Sequence, residues 1–256
     1  MSAKSAVRLL LPIAASCISL TYLIDKSKIN CVPRGCTNGI ILPNIPQSYC
    51  DALEYNGKRN KAGQMHGQGT LRDSLGNECI GEFKNDNLDG FGIVKYADGG
   101  VYKGQWMNNM RSGRGTYEYA DGGEYEGEWL NHMYHGNGKK RNGNGDVFEG
   151  LFKEDKKVNG IYRFVDGEVY EGEYIDNKRH GHGRSHYLNG DIYIGDYAND
   201  NRHGHGLYQF NNGTVYEGEW ETGKICGKGT LRDLAGSIIY DGQWKDGAPT
   251  NSYIEV

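Results

Sequence analysis

A short phrase recurs along this chain: Tyr, any residue, Gly, any residue, then Trp or Tyr. Its glycine falls at Gly57, Gly81, Gly104, Gly127, Gly150, Gly172, Gly195, Gly218 and Gly242, in steps of 22 to 24 residues. Two residues before it stand Tyr55, Tyr102, Tyr125, Phe148, Tyr170, Tyr193, Tyr216 and Tyr240, and only Cys79 breaks that column. Two residues after it stand Phe83, Trp106, Trp129, Phe152, Tyr174, Tyr197, Trp220 and Trp244, with Arg59 the exception. All 4 tryptophans of the chain lie in this one column. A fixed period of this size marks a repeat array, in which each unit packs only on its neighbours.

A second glycine pair follows nine or ten residues later, at Gly67/Gly69, Gly90/Gly92, Gly113/Gly115, Gly136/Gly138, Gly181/Gly183, Gly204/Gly206 and Gly227/Gly229. In the fifth unit only Gly160 remains, Tyr162 takes the second place, and the unit is one residue short. In Tyr125 to Trp129 ring, glycine and ring alternate with Glu126 and Glu128, the period of two expected of a strand. Polar turn sequences such as NNMRS and ADGG separate the strands. Each unit therefore reads as a β-hairpin. The expected fold is all-β: an elongated, twisted, single-layer antiparallel sheet. Rings laid across bare glycine backbone would hold such a sheet together without an aliphatic core.

Composition agrees. Of 256 residues, 40 are glycine and 19 tyrosine, and only 37% are hydrophobic, too few for a Leu/Ile/Val sphere. Abundant rings and a net charge of −4 argue against disorder and give no nucleic-acid signal.

The phrase Y-E-G-E-W, a polar turn, H-G-x-G-x-x-x-Y and then A-D-G resembles the MORN repeat (membrane occupation and recognition nexus). The resemblance runs from about Tyr55 to Asp246, in about eight units. It implies an elongated twisted β-sheet, scaffolding, self-association and, in several members, contact with membranes or acidic phospholipids. Family arrays also accompany enzymes, and only about ten residues follow the last unit here. Arg59 and Cys79 depart from the pattern at the first two units.

Four segments follow: a hydrophobic anchor or signal segment over residues 1–28, a Pro- and Cys-containing linker over 29–52, the array over 53–247, and a tail over 248–256. The apolar run Leu9 to Ile24 has 16 residues. As a helix it spans roughly 24 Å, short of a ~30 Å hydrocarbon core unless Arg8 snorkels. A membrane anchor fits best; a signal peptide cut near Ala14 to Ser16 comes next, ahead of a mitochondrial presequence or a buried helix. Lysines and arginines flank both sides, so topology stays open. The 6 cysteines follow neither a metal spacing nor a secreted disulfide framework, and a bridge among Cys31, Cys36 and Cys50 stays open.

No enzymatic centre, metal or cofactor is expected. Glu126/Glu128, Glu171/Glu173 and Glu217/Glu219 are carboxylate pairs, but an active site should occur once, in a cleft, and these recur along an open ribbon. His180, His182, His186, His203 and His205 do not converge; on a strand His182 and His186 lie about 13.6 Å apart. Gly218 to Ile225 nearly spells a phosphate loop, but Ile225 replaces the metal-binding hydroxyl.

Charge is better organised. Arg111, Arg114, Lys139, Lys140, Arg141, Lys178, Arg179, His180, Arg184, Arg202 and His203 follow the first strands; Asp98, Asp121, Glu124, Asp146, Asp166, Glu168 and Asp191 follow the second. In a meander the two sets would occupy opposite long edges, one basic and one acidic. The basic edge is the candidate contact for acidic phospholipids or a protein partner. The expectation is a non-catalytic, membrane-associated scaffold. An accessory subunit with substrate along the aromatic face of the sheet, and a self-assembling ribbon, are the alternatives.

Overall fold

The computed structural model describes residues 53–250. The expected N-terminal helix, the linker with its cysteines, and most of the tail lie outside these residues. Eighteen strands follow one another. The first nine are β1 (Glu54–Arg59), β2 (Met65–Arg72), β3 (Glu78–Lys84), β4 (Asn87–Lys95), β5 (Val101–Met107), β6 (Met110–Glu118), β7 (Glu124–Leu130), β8 (Met133–Arg141) and β9 (Val147–Lys153). The rest are β10 (Lys156–Arg163), β11 (Val169–Ile175), β12 (Lys178–His186), β13 (Ile192–Ala198), β14 (Asn201–Gln209), β15 (Val215–Glu221), β16 (Lys224–Arg232), β17 (Ile238–Lys245) and β18 (Ala248–Pro249). Each pairs antiparallel with its sequence neighbours, giving one open sheet with no helix among the described residues.

Glycine pairs set the register. Gly104 faces Gly115, Gly127 faces Gly138, and Gly195 faces Gly206 across the hairpins. The Tyr102 ring lies over the first of these pairs, so a Cβ at Gly104 or Gly115 would overlap it. Its hydroxyl donates to the Gln105 carbonyl at 3.1 Å, and Tyr125, Tyr170, Tyr193 and Tyr216 repeat that bond. Side chains on one face alone thus bury a thin sheet, because each ring replaces the absent glycine side chains and excludes water from the backbone.

Neighbouring units join ring to ring. Tyr102 meets Trp106 and Trp129 edge-on at 5.1 and 5.2 Å. The same alternation runs unbroken through Tyr125, Phe152, Phe148, Tyr174, Tyr170, Tyr197, Tyr193, Trp220, Tyr216, Trp244 and Tyr240. Edge-to-face geometry suits the ring quadrupole and adds about 0.5–1.5 kcal/mol per pair beyond area burial. Cys79 leaves a gap that Leu88 fills: its methyl carbons cover Gly81 and Gly92, and it is 0% exposed.

The hairpin turns are shorter than the sequence reading supposed. Asn108 and Asn109, at φ 50° and 64°, form a two-residue turn, and Asn131-His132, Asp176-Asn177 and Asn199-Asp200 do likewise. Both positions need positive φ, which favours Asn, Asp and Gly. The second turn residue reaches back to the preceding unit. Asn109 Oδ1 accepts the Leu88 N–H at 2.7 Å, Asp155 Oδ1 that of Tyr134 at 2.7 Å, and Asp200 Oδ1 that of Arg179 at 2.9 Å. The opposite loops interlock similarly: Asp191 accepts from Asn211 N–H at 2.8 Å and from the Tyr208 hydroxyl at 2.6 Å.

Candidate functional site

The short turns redistribute the cations expected along one edge. The two-residue turns hold Asn, Asp, Glu, His, Thr or Gly, so the bases fall beyond them on the second strands. There the alternation of the strand divides them between two faces.

Arg111, Arg179 and Arg202 join the aromatic face. Arg111 is buried, its guanidinium 4.5 Å from the Trp129 ring centroid and 5.2 Å from that of Tyr117. Arg202 lies 4.3 Å from the Trp220 ring and Arg179 5.2 Å from the Tyr197 ring. Each donates to a carbonyl of the next turn: Arg111 to His132 at 3.3 Å, Arg179 to Asp200 at 2.8 Å, Arg202 to Gly223 at 2.8 Å. These arginines staple consecutive units. Lys140 is on this face too, 5.1 Å from the Tyr134 ring. Burial lowers its ammonium below the ordinary lysine value, opposed by Asp155 and Asp121. The eight rings Phe83, Trp106, Trp129, Phe152, Tyr174, Tyr197, Trp220 and Trp244 all lie here, none more than 7% exposed.

Arg114, Lys139, Arg141, Lys178 and Arg184 are exposed on the other face or at its rim. His180 is half-buried and His203 exposed, both beside the bulge that follows each turn. At that bulge the backbone of Gly113 takes φ 65°, and the Gln105 side-chain oxygen accepts the Arg114 N–H at 2.9 Å. Glu128 does the same for Asn137 at 3.0 Å, Asp196 for His205 at 3.1 Å and Glu219 for Lys228 at 3.2 Å. The second member of two of the carboxylate pairs therefore has a structural task. Asp196 also meets His182 Nδ1 at 3.1 Å. Burial would raise the Asp196 carboxyl, but bonds from His182 and the His205 N–H outweigh it and hold the group below its ordinary value. Among the described residues no three His, Cys, Asp or Glu side chains converge as a metal-ligand set.

The second face carries a groove of about 660 Å³ that runs across β4 to β10. Glycine side chains are absent on one face and covered by rings on the other, so Gly104, Gly115, Gly127, Gly138 and Gly150 give the groove a bare backbone floor. One wall is a cross-strand row: Lys103 opposite Thr116, Thr116 opposite Glu126, Glu126 opposite Lys139, Lys139 opposite Glu149, and Glu149 opposite Ile161. Phe91, Arg114 and Asn137 line the other side. Seven strands at about 4.8 Å give it a length of roughly 29 Å. Lys103 is tied to Glu118 at 2.7 Å, whereas the Arg114 and Lys139 side chains have no ion-pair partner among the described residues.

Sequence reasoning offered Arg114 and Lys139 of this groove as contact residues and named Glu126 only as half of a recurring carboxylate pair. The available signal was Phe91, an aromatic between the glycines of Gly90-Phe91-Gly92, where other units carry polar residues. It is 60% exposed.

Fold and groove together define a β-hairpin repeat protein with one face sealed by rings and one open. Nine segments match the MORN repeat model: 61–74, 79–101, 102–124, 125–147, 148–169, 170–192, 193–215, 216–233 and 240–250. The chain belongs to the MORN-repeat family. No curated protein matches it at a significant level. Among solved structures, it is similar to the SAS-4 (dCPAP) TCP domain of Drosophila melanogaster in complex with a proline-rich motif of Ana2 (dSTIL). There the identity is 15% and the TM-score 0.38, over 62% of this chain and 86% of that one. It is also similar to the wild-type TCP10 domain of Danio rerio CPAP, at 12% identity and a TM-score of 0.33, over 73% of this chain and 94% of that one. Likenesses at these TM-scores carry no inference about function.

Proposed function

We propose that the protein is a non-catalytic scaffold that receives an extended protein segment in the glycine-floored groove and is held at a membrane by residues 1–28. The groove carries this reading. A segment laid along its roughly 29 Å would place about eight or nine residues across the strands. Its charges would meet Arg114, Lys139, Glu126 and Glu149, and its apolar ends Phe91 and Ile161. Repetition of the carboxylate pairs, and the use of Glu128 and Glu219 at bulges, support the non-catalytic part. Membrane tethering is supported by the apolar run Leu9 to Ile24. The accessory reading, with substrate along the aromatic face, fits less well because those rings are buried.

A second reading, contact with acidic phospholipid headgroups, is supported by the exposure of Arg114, Lys139, Arg141, Lys178 and Arg184. Glu126, Glu149 and Glu171 share one cross-strand row with Lys139 and Arg184 and would meet the same surface. Photo-crosslinking in the full chain separates the two. A crosslinker at Thr116 or Asn137 should capture one protein partner, and a crosslinker at Thr230, outside the groove, should not. Equal labelling at all three positions, or capture of lipid alone, would overturn the groove reading.

A further inference from the structure

The fifth unit departs from its neighbours on the sealed face. Its hairpin, β9–β10, belongs to the short repeat, and Gly160 stands alone where other units have a glycine pair. Two columns of the aromatic face change there. Lys140 occupies the place held by Val94, Tyr117, Tyr162 and Tyr208, opposite the next strand's ring Phe148. Lys157 occupies the place held by Arg111, Arg179 and Arg202, opposite Phe152.

The exchange leaves both ammonium groups without an oxygen. Each arginine of that column donates to a carbonyl of the next turn. Lys157 is shorter, and only its backbone N–H reaches across, to Asn177 Oδ1 at 2.9 Å. Among the described residues neither Lys140 nor Lys157 has a side-chain hydrogen-bond acceptor or a carboxylate at ion-pair distance. Both are half-buried against rings: Lys157 lies 4.7 Å from the Tyr162 centroid and 4.8 Å from that of Tyr174. Burial holds both below the ordinary lysine value; at Lys157 it is opposed by Asp200 and Asp146 and reinforced by Lys140. A desolvated cation without a partner is costly.

Between them lies a cavity of about 180 Å³, also lined by Phe148, Phe152, Tyr162 and Asn177. At ~30 Å³ per water it has room for about six. Asn177 uses its oxygen on Lys157, so its amide N–H groups are free to donate. Asp155 reaches the same cavity, with one oxygen accepting from Tyr134, and burial raises its carboxyl above the ordinary value, opposed by Arg111 and Lys140. Two further carboxylates act on Lys157, Asp200 and Asp146. Asp200 is engaged by the Arg179 N–H, and Asp146 by Tyr162 and the Val165 N–H.

We propose that this cavity binds a phosphoryl group, held between the Lys140 and Lys157 ammonium groups with the Asn177 amide as a further donor. A single carboxylate could accept from both ammonium groups but would balance only one of their charges. A phosphate monoester carries a charge of about −1.5 to −2 and three acceptor oxygens, enough for both lysines in the presence of Asp155. Ring walls at Phe148 and Phe152 leave the body of the ligand an apolar surface. Free phosphate and a lipid headgroup share this chemistry, and the test separates them.

The measurement is amine acetylation of the full chain, read by mass spectrometry at each lysine. Inorganic phosphate should protect Lys140 and Lys157 and leave Lys103 and Lys139 unchanged. At ten times the dissociation constant the protection approaches about tenfold. Protection by vesicles containing phosphatidylinositol 4-phosphate, with none from inorganic phosphate, assigns the site to a lipid headgroup. No protection by either probe, or equal protection of Lys103 and Lys139, overturns the proposal. Titration calorimetry with inorganic phosphate gives the second readout for the free ligand. Where phosphate binds, K140Q/K157Q should lose the heat and K153Q/K156Q should keep it; heat retained by a folded K140Q/K157Q overturns the site.

Discussion

Arg202 lays its guanidinium 4.3 Å from the centroid of the Trp220 ring. The same group donates to the Gly223 carbonyl at 2.8 Å, one unit further on. A residue that reads as a surface cation is thus a rivet between repeats. Cation–π stacking and the hydrogen bond should together contribute about 1–3 kcal/mol. Arg202→Ala should therefore lower stability by about that amount in urea unfolding. Arg202→Lys should recover little, since an ammonium cannot stack and reach the carbonyl together. Arg184→Ala, on the open face, should stay within about 0.5 kcal/mol of the parent. Equal losses at the two arginines would contradict this division of the cations.

Gly206 and Tyr193 should be coupled. A Cβ at Gly206 would overlap the Tyr193 ring, which is 0% exposed. Gly206→Ala must push that ring outward, at a cost of about 1–3 kcal/mol. Tyr193→Ala alone should cost about 3–5 kcal/mol. With the Tyr193 ring gone, the added methyl loses its nearest clash, so the double variant should be more stable than the two single losses sum to, by roughly 1 kcal/mol or more. Additive losses in a denaturation cycle would mean that the ring does not cover the glycine.

Period-two alternation and the glycine pairs made the hairpin sheet legible, because they reflect contacts inside one unit. The placement of the cations was not legible, because it depends on where a turn ends. NNMRS reads as one five-residue turn, yet only Asn108 and Asn109 turn, and Arg111 is already inside the strand. Positive φ at two consecutive residues was the missing criterion: it selects Asn-Asn and leaves Met110-Arg111 to the sheet. The groove escaped for a related reason. Its floor is defined by glycine side chains that do not exist, and its walls by residues that vary from unit to unit.

Acid should loosen the array at two joints. Burial would raise the Asp191 carboxyl, but the Tyr208 hydroxyl, the Asn211 N–H and the Asn189 amide outweigh it and hold the group below its ordinary value. Asp146 is held down first by Asn144, against burial, and then by Val165 and Tyr162. A depressed folded pKa gives stability that is present above the unfolded value, near 4, and is lost as pH falls through the folded value. Urea midpoints should fall below about pH 4 in the parent. In Asp146→Asn/Asp191→Asn that part of the slope should be missing, at the expense of lower stability near neutral pH. An unchanged acid slope in the double variant would assign the loss to other carboxylates.

Glu126 and Glu128 share a strand face but should behave differently. Glu128 accepts the Asn137 N–H at 3.0 Å across the bulge, where Gly136 sits at φ 57°. Glu126 stands in the groove wall opposite Lys139, with no ion pair formed. Glu128→Ala should cost about 0.5–1.5 kcal/mol of stability, the worth of one such bond, and Glu128→Gln should retain most of it because an amide oxygen accepts equally, as Gln105 does one unit earlier. Glu126→Ala should leave stability within about 0.5 kcal/mol. Under the groove reading its effect belongs to the crosslinked yield at Thr116, since removing a carboxylate changes the charge that a bound segment meets without disturbing the sheet. A stability loss at Glu126 equal to that at Glu128 would show that the two carboxylates are not divided between frame and groove.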